Sequence, residues 1–182
     1  MSTKKLSPLE MLKSSELEMV QNGIKIMEET GKSTQLPDIF KCYLMHTGMP
    51  HKKALFELLA SITVKGAREA WMELLLNDEF KEEKAKIINV LWNTRLDFSG
   101  EISFFVALAV QLDYLGTLEC LTLIEQMEGP FQEQHLLEAE LILIDYIKNQ
   151  PADGNQKQQL IVSLAQHLEQ LKMQVDDGLF FE

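Results

Sequence analysis

The stretch from Glu82 to Glu128 constrains the fold most strongly, because its apolar residues recur at helical spacing between short turns. Three consecutive amphipathic helices are predicted there, at Glu83–Asn93, Gly100–Leu112 and Leu115–Glu128. Apolar residues at positions i, i+3, i+4 and i+7 form one face of a helix, and that face is normally buried against a neighbouring element. This pattern predicts an all-α protein built from packed helices.

The composition agrees with helices joined by short turns. Hydrophobic residues make up 46% of the 182 residues, and the chain has 9 glycines and 5 prolines, most of them between the periodic segments. Val, Thr and Tyr do not cluster in alternating runs, so no strand is predicted. A chain of this length can remove roughly 70% of its unfolded surface from water. We therefore predict a single helical domain at 1–182.

Five segments are predicted within this domain. Ser7, Pro8 and Glu10 form a capping-box start for the first helix, and Gly31 is suited to its end. The segments are an N-terminal helix at 8–31, a first helical unit at 36–78, a second helical unit at 79–129, a terminal helix pair at 130–175 and a tail at 176–182.

The two helical units show an approximate internal repeat with an offset of about 50 residues. Three sets of positions match, namely Leu44–Met49 with Leu91–Leu96, the trio Leu55, Leu59 and Ile62 with Phe105, Ala109 and Leu112, and Gly66–Ala70 with Gly116–Cys120. Short helices, turn glycines and a period in this range resemble HEAT or armadillo repeats over roughly 36–174. The resemblance implies a short right-handed α-α superhelix that binds proteins or peptides, and it carries no catalytic residue over.

The charge balance argues against two classes of partner. The formal net charge is −11, and basic residues alternate with acidic ones, as in Lys81–Lys86. Nucleic acids and anionic membranes are bound through clustered Lys and Arg, which this chain lacks. An acidic surface instead favours a basic protein partner, whose association should weaken as salt rises.

The chain contains no motif for catalysis, a cofactor or a metal. His-Glu-x-x-His and the glycine-rich phosphate loops are absent, so we predict no cofactor and no metal. Cys42 and His46 share a helix face, but spacing alone does not make a nucleophile and its base. Cys42 and Cys120 are predicted to be buried free thiols. The start of the chain lacks the apolar run of a signal peptide, so a cytoplasmic location is expected.

Eight residues are candidates for contact with a partner. Trp71 and Trp92 are either core residues or aromatic anchors in a groove. Another group brackets the two ends of one predicted helix and could form a polar rim, namely Arg95, Asp97, Asp113 and Tyr114. Phe180 and Phe181 lie in the tail, where they either fold back onto the last helices or dock onto a partner.

These observations favour a non-enzymatic protein-protein interaction module, an adaptor or a regulatory scaffold. An obligate homodimer is the first alternative, because the predicted helix at Gln132–Asn149 is apolar nearly all round and either is buried or faces a partner. An enzyme with an unrecognised site in a helical stack is the second.

Overall fold

A computed structural model describes residues 6–149 and 155–176, and these residues form α-helices and short 3₁₀ turns without a strand. The all-α class predicted from the sequence is confirmed. The 3₁₀ turns lie at Ser33–Gln35, Asp78–Glu83 and Ser99–Glu101. The helices are α1 Pro8–Leu12, α2 Leu17–Thr30, α3 Leu36–Met45, α4 Met49–Ser61, α5 Ala67–Leu76, α6 Lys84–Leu91, α7 Ile102–Gln111, α8 Tyr114–Glu125, α9 Glu133–Asn149 and α10 Gln156–Asp176.

Contacts between Cα atoms group the chain into two compact units. The first runs to Lys81 and includes Asn93–Arg95, so it holds α1–α5. The second comprises Glu82–Trp92 and the described residues from Leu96 onward, so it holds α6–α10. Each unit buries its own apolar side chains, as expected for helices that each carry one apolar face.

The predicted N-terminal helix at 8–31 is two helices in the structure. Its start is as predicted, since Ser7 and Glu10 form both hydrogen bonds of a capping box. The helix then ends at Leu12, and α2 begins at Leu17. Between them, the Ser14 hydroxyl accepts a hydrogen bond from the backbone N–H of Glu16 at 3.1 Å, which offers the backbone an alternative to the helical pattern.

Two histidines stabilise this break from elsewhere in the first unit. His46 Nε2 donates to the carbonyl of Leu12 at 2.8 Å, and His51 Nε2 donates to the carbonyl of Ser15 at 3.1 Å. The two rings stack with centroids 4.8 Å apart. Carbonyls at a helix end need partners from outside the helix. Because these partners come from more than thirty residues further along the chain, the local pattern did not reveal the break.

The matched glycines of the predicted repeat occupy different backbone positions. Gly66 has a left-handed φ of +82° and precedes α5, as expected of a turn glycine. Gly116 lies inside the first turn of α8, and a Cβ atom there would lie 2.5 Å from Leu112 Cβ. Expecting a turn glycine at both positions was therefore wrong, because close packing rather than a turn requires glycine at 116.

Replacing Gly66 with alanine is expected to lower the free energy of unfolding by about 1–2 kcal/mol, the cost of placing an L-residue in the left-handed region. Urea denaturation monitored by circular dichroism measures this change. Gly100→Ala is the control, because a Cβ there has no heavy atom within 4 Å and the glycine is not at positive φ. Equal effects of the two substitutions on the free energy of unfolding would contradict a requirement for glycine at 66 because of its left-handed φ.

In the second unit, α7 packs against α8 and α9, while α10 packs against α8 and α9. Lys157, at the start of α10, donates through Nζ to the carbonyls of Val110 and Leu112 at 2.8 and 2.5 Å. A cation at a helix C-terminus is stabilised by the free carbonyls and the helix dipole. This contact helps hold α10 against the end of α7. Within 6–149 and 155–176, no helix is long and apolar enough to cross a membrane.

Candidate functional site

Helix α9 has an apolar inner face and a second apolar face that is exposed to solvent. Leu136, Ala139 and Leu143 are buried against the rest of the second unit. The second face, here called the α9 strip, consists of Leu137, Leu141, Ile144 and Ile147, all exposed. Isolated exposed apolar residues are ordinary, but a contiguous row of four on one helix is typical of an interaction surface.

A groove with a volume of about 410 Å³ runs beside the strip, between α9 and α10. We call it the α9–α10 groove. Its apolar lining comes from Leu143, Ile144 and Ile147 of α9 and from Ala165, Leu168 and Met173 of α10. Ile144 and Ile147 belong to both the strip and the groove, so the two features form one continuous apolar surface.

The charged residues of the groove give its rim an excess of negative charge. Lys172 of α10 forms an ion pair with Glu140 of α9 across the groove. Glu169 also lines the groove, and it has no ion pair with any residue that the structure describes. Along the whole of α9, the acids Glu133, Glu138, Glu140 and Asp145 outnumber the one base, Lys148. The unpaired charge at the rim is therefore acidic.

Trp71 lies in the core of the first unit and not on its surface. Its side chain is 0% exposed, and its indole Nε1 has no hydrogen-bond partner among the described residues. A fully buried ring offers no surface to a partner, so Trp71 is excluded as a docking anchor. Of the two roles considered from the sequence, the structure places this tryptophan in core packing.

Trp92 is half-buried and takes part in a polar contact between α6 and α8. Its indole Nε1 donates to Glu119 Oε2 at 2.7 Å, and Asn89 Nδ2 donates to the same oxygen at 3.0 Å. A carboxylate that receives two donors from another helix holds the two helices in register. Trp92 therefore has a structural role, and Glu119 is the partner that local sequence did not identify.

The two predicted rim aspartates serve mainly as local caps. Asp97 accepts hydrogen bonds from the backbone N–H and the hydroxyl of Ser99, at 2.9 and 2.6 Å. Asp113 is the N-cap of α8 and accepts from the backbone N–H of Gly116 at 2.9 Å. Such side-chain caps satisfy backbone donors at the start of a helix or turn.

The remaining candidates are surface residues or lie outside the described part of the chain. Tyr114 is exposed at the first position of α8. Arg95 is exposed beside a shallow depression of the first unit that Phe56 and Ser61 also line. Phe180 and Phe181 lie outside the described residues.

Neither cysteine is positioned for chemistry. Cys42 and Cys120 are free and buried, as predicted, and burial raises the pKa of each thiol above its usual value. A reactive cysteine needs a lowered pKa and partial exposure. His46, one turn from Cys42, directs its Nε2 to the Leu12 carbonyl. No group of three or more metal-ligating side chains occurs in the part of the chain that the structure describes.

The fold and the α9 surface thus belong to an all-helical protein with an exposed apolar helix face. Comparison with family models, with curated proteins and with solved structures finds no match to this chain.

The sequence pointed to α9 without identifying the groove. The signal was a helix that is apolar nearly all round, which indicates either full burial or a partner surface. Ala165, Glu169 and Lys172 gave no signal, because they look like ordinary positions on the polar side of α10. Only the packing of α10 against α9 brings them beside Ile144 and Ile147.

Proposed function

We propose that this chain is a cytoplasmic protein-binding module whose partner docks on the α9 strip and the adjoining groove. The exposed row of Leu137, Leu141, Ile144 and Ile147 is the observation that supports it. Burying apolar surface contributes about 25 cal/mol per Å², so an exposed strip of large aliphatic side chains provides a driving force for association.

The HEAT-like or armadillo-like resemblance remains part of this proposal. Its support is that Leu55 and Leu59 of α4 and the matched Phe105 and Ala109 of α7 are all buried, while Ile62 and Leu112 are both half-buried. The short right-handed superhelix that the resemblance implies stays a prediction.

The obligate homodimer is the second candidate, because the same strip could pair with a second copy. Charge argues against it. Two copies of α9 facing each other would bring two acid-rich helices together, and like charges at an interface cost free energy. Light scattering coupled to size-exclusion chromatography measures the mass in solution. A mass of one chain supports the partner-binding function, and a mass of two chains supports the homodimer.

Leu141→Glu is expected to abolish capture of the partner while leaving the fold intact. Leu141 is 65% exposed, so a carboxylate there meets water in the free protein but is desolvated at the interface. The measurement is affinity capture from a native lysate, with low-salt and high-salt washes and mass spectrometry of the retained proteins. A specific protein retained at low salt should be missing from the Leu141→Glu sample and should be lost at high salt.

Leu76→Glu is the matched control, because Leu76 is an equally exposed leucine, at 66%, in the first unit. It adds the same charge and removes the same side chain, and it should capture the same proteins as the wild type. If Leu141→Glu and Leu76→Glu retain the same proteins as the wild type, the strip is not the docking surface.

A further inference from the structure

We infer that the α9–α10 groove receives one amphipathic helix of a partner protein, with an apolar anchor seated over Ala165 and a basic residue one turn away from it. This inference rests on the proposed function and specifies the chemistry of its partner. Three features of the groove carry it: its length, the small side chain of Ala165 in its lining and the unpaired charge on its rim.

The length of the groove fits a short helix. Its lining runs from Glu140 to Ile147 on α9 and from Ala165 to Met173 on α10. The ends of the two walls are seven and eight positions apart, which corresponds to about two helical turns, roughly 10–12 Å. A helix that lies along such a groove inserts side chains at positions i, i+4 and i+7. A peptide that binds by strand addition would need an unpaired strand edge, and residues 6–149 and 155–176 provide none.

Ala165 creates the space for an anchor. It is half-buried and lines the groove together with larger apolar side chains, including Ile144, Ile147 and Leu168. A methyl group at this position leaves an apolar recess that a leucine or phenylalanine of the partner can fill. Interface energy concentrates in side chains seated in such recesses. Ala165 therefore determines the size of the anchor.

The charge on the rim of the groove favours a basic residue in the partner helix, close to the apolar anchor. Glu140 is already paired with Lys172, whereas Glu169 has no ion pair with the described residues. Glu169 follows Ala165 by one turn on α10, so a partner residue one turn from the anchor comes close to it. Charge complementarity then favours Lys or Arg at that position and disfavours Glu or Asp. A second copy of this acid-rich chain is a poor match for the same rim.

The test uses two synthetic peptides of about five helical turns with leucines at positions i, i+4 and i+7. One carries lysines beside the leucine row, and the other carries glutamates at the same positions. Fluorescence anisotropy measures the affinity of each for the full chain and for the variants Ala165→Phe, Ala165→Ser and Glu169→Lys. Circular dichroism and urea midpoints establish that each variant is folded.

The wild type should bind the lysine peptide in preference to the glutamate peptide, and more weakly as salt rises. Ala165→Phe should weaken binding by about tenfold or more, because the added ring fills the recess that the anchor needs. Ala165→Ser keeps the recess open and should change the affinity by less than about threefold. Glu169→Lys should reduce or reverse the preference between the two peptides, which a purely structural role of Glu169 would not do.

The outcomes separate this inference from the proposed function. If Leu141→Glu abolishes binding of the lysine peptide while folded Ala165→Phe binds normally, the partner uses the strip and the groove inference is wrong. Equal affinity for both peptides, or binding of neither, overturns the partner chemistry inferred here. The proposed function then stands or fails on the lysate capture, where Leu141→Glu and Leu76→Glu are compared. A dimer that Leu141→Glu converts to a monomer would assign the surface to a second copy and overturn both.

Discussion

Replacing Trp71 with alanine is expected to lower the free energy of unfolding by about 3–5 kcal/mol, the range found when a large buried aromatic is truncated to a methyl group. The side chain is 0% exposed and belongs to the core of the first unit. Truncation removes its apolar burial and leaves a cavity that the surrounding helices fill only in part. Urea denaturation, followed by circular dichroism, measures the loss.

Trp71→Phe is the matched control. It keeps most of the apolar ring and removes the indole N–H, which has no partner among the described residues. A buried donor without a partner costs about 1–3 kcal/mol, and its removal should offset much of the lost packing, so the net loss should stay below about 2 kcal/mol. If Trp71→Ala lowers the free energy of unfolding by less than about 1 kcal/mol and also weakens partner capture, Trp71 is a surface anchor and not a core residue.

Both thiols are expected to be strongly protected in the folded protein. Cys42 and Cys120 are buried, and burial raises the pKa of each thiol, so the nucleophilic thiolate is scarce and inaccessible. Alkylation then requires opening of the native structure. With an open fraction of roughly 10⁻³ or less, the rate should fall at least about 1,000-fold below that in urea. Labelling with iodoacetamide, followed by intact-mass spectrometry, measures both rates.

An exposed cysteine introduced into the same chain is the control for the reactivity of iodoacetamide. Ser163 is exposed on α10, so Ser163→Cys should react at close to the rate of a free thiol while the native cysteines remain unlabelled. Because the folded thiols bind their protons more tightly than the unfolded ones, stability should fall as the pH rises above the ordinary thiol pKa of about 8.5. Rapid labelling of Cys42 at neutral pH would contradict the predicted protection of the thiols and would favour a reactive pair of Cys42 and His46.

Several elements were predictable because their signals are local. The capping box at Ser7 and Glu10 and the turn at Gly66 depend on neighbouring residues, and the structure has both as predicted.

Other features depend on residues that are distant in the sequence. The break between α1 and α2 is held by His46, which follows α3, and by His51 of α4. The role of Trp92 depends on Glu119, which lies on α8. The candidate site also depends on distant residues, because the sequence marked α9 as unusually apolar but could not decide between a core role and a surface role for Trp71.

The sequence by itself determined that this protein is all-α, that its two cysteines are buried and free, and that the chain is acidic with one unusually apolar helix. Helical periodicity and capping act over a few residues, so they can be read directly from the chain. The tertiary structure alone decided which apolar faces are buried and which stay exposed. Two helices with equally apolar patterns differ only in what packs against them, and that packing leaves the α9 strip in solvent and places Ala165 and Glu169 beside it.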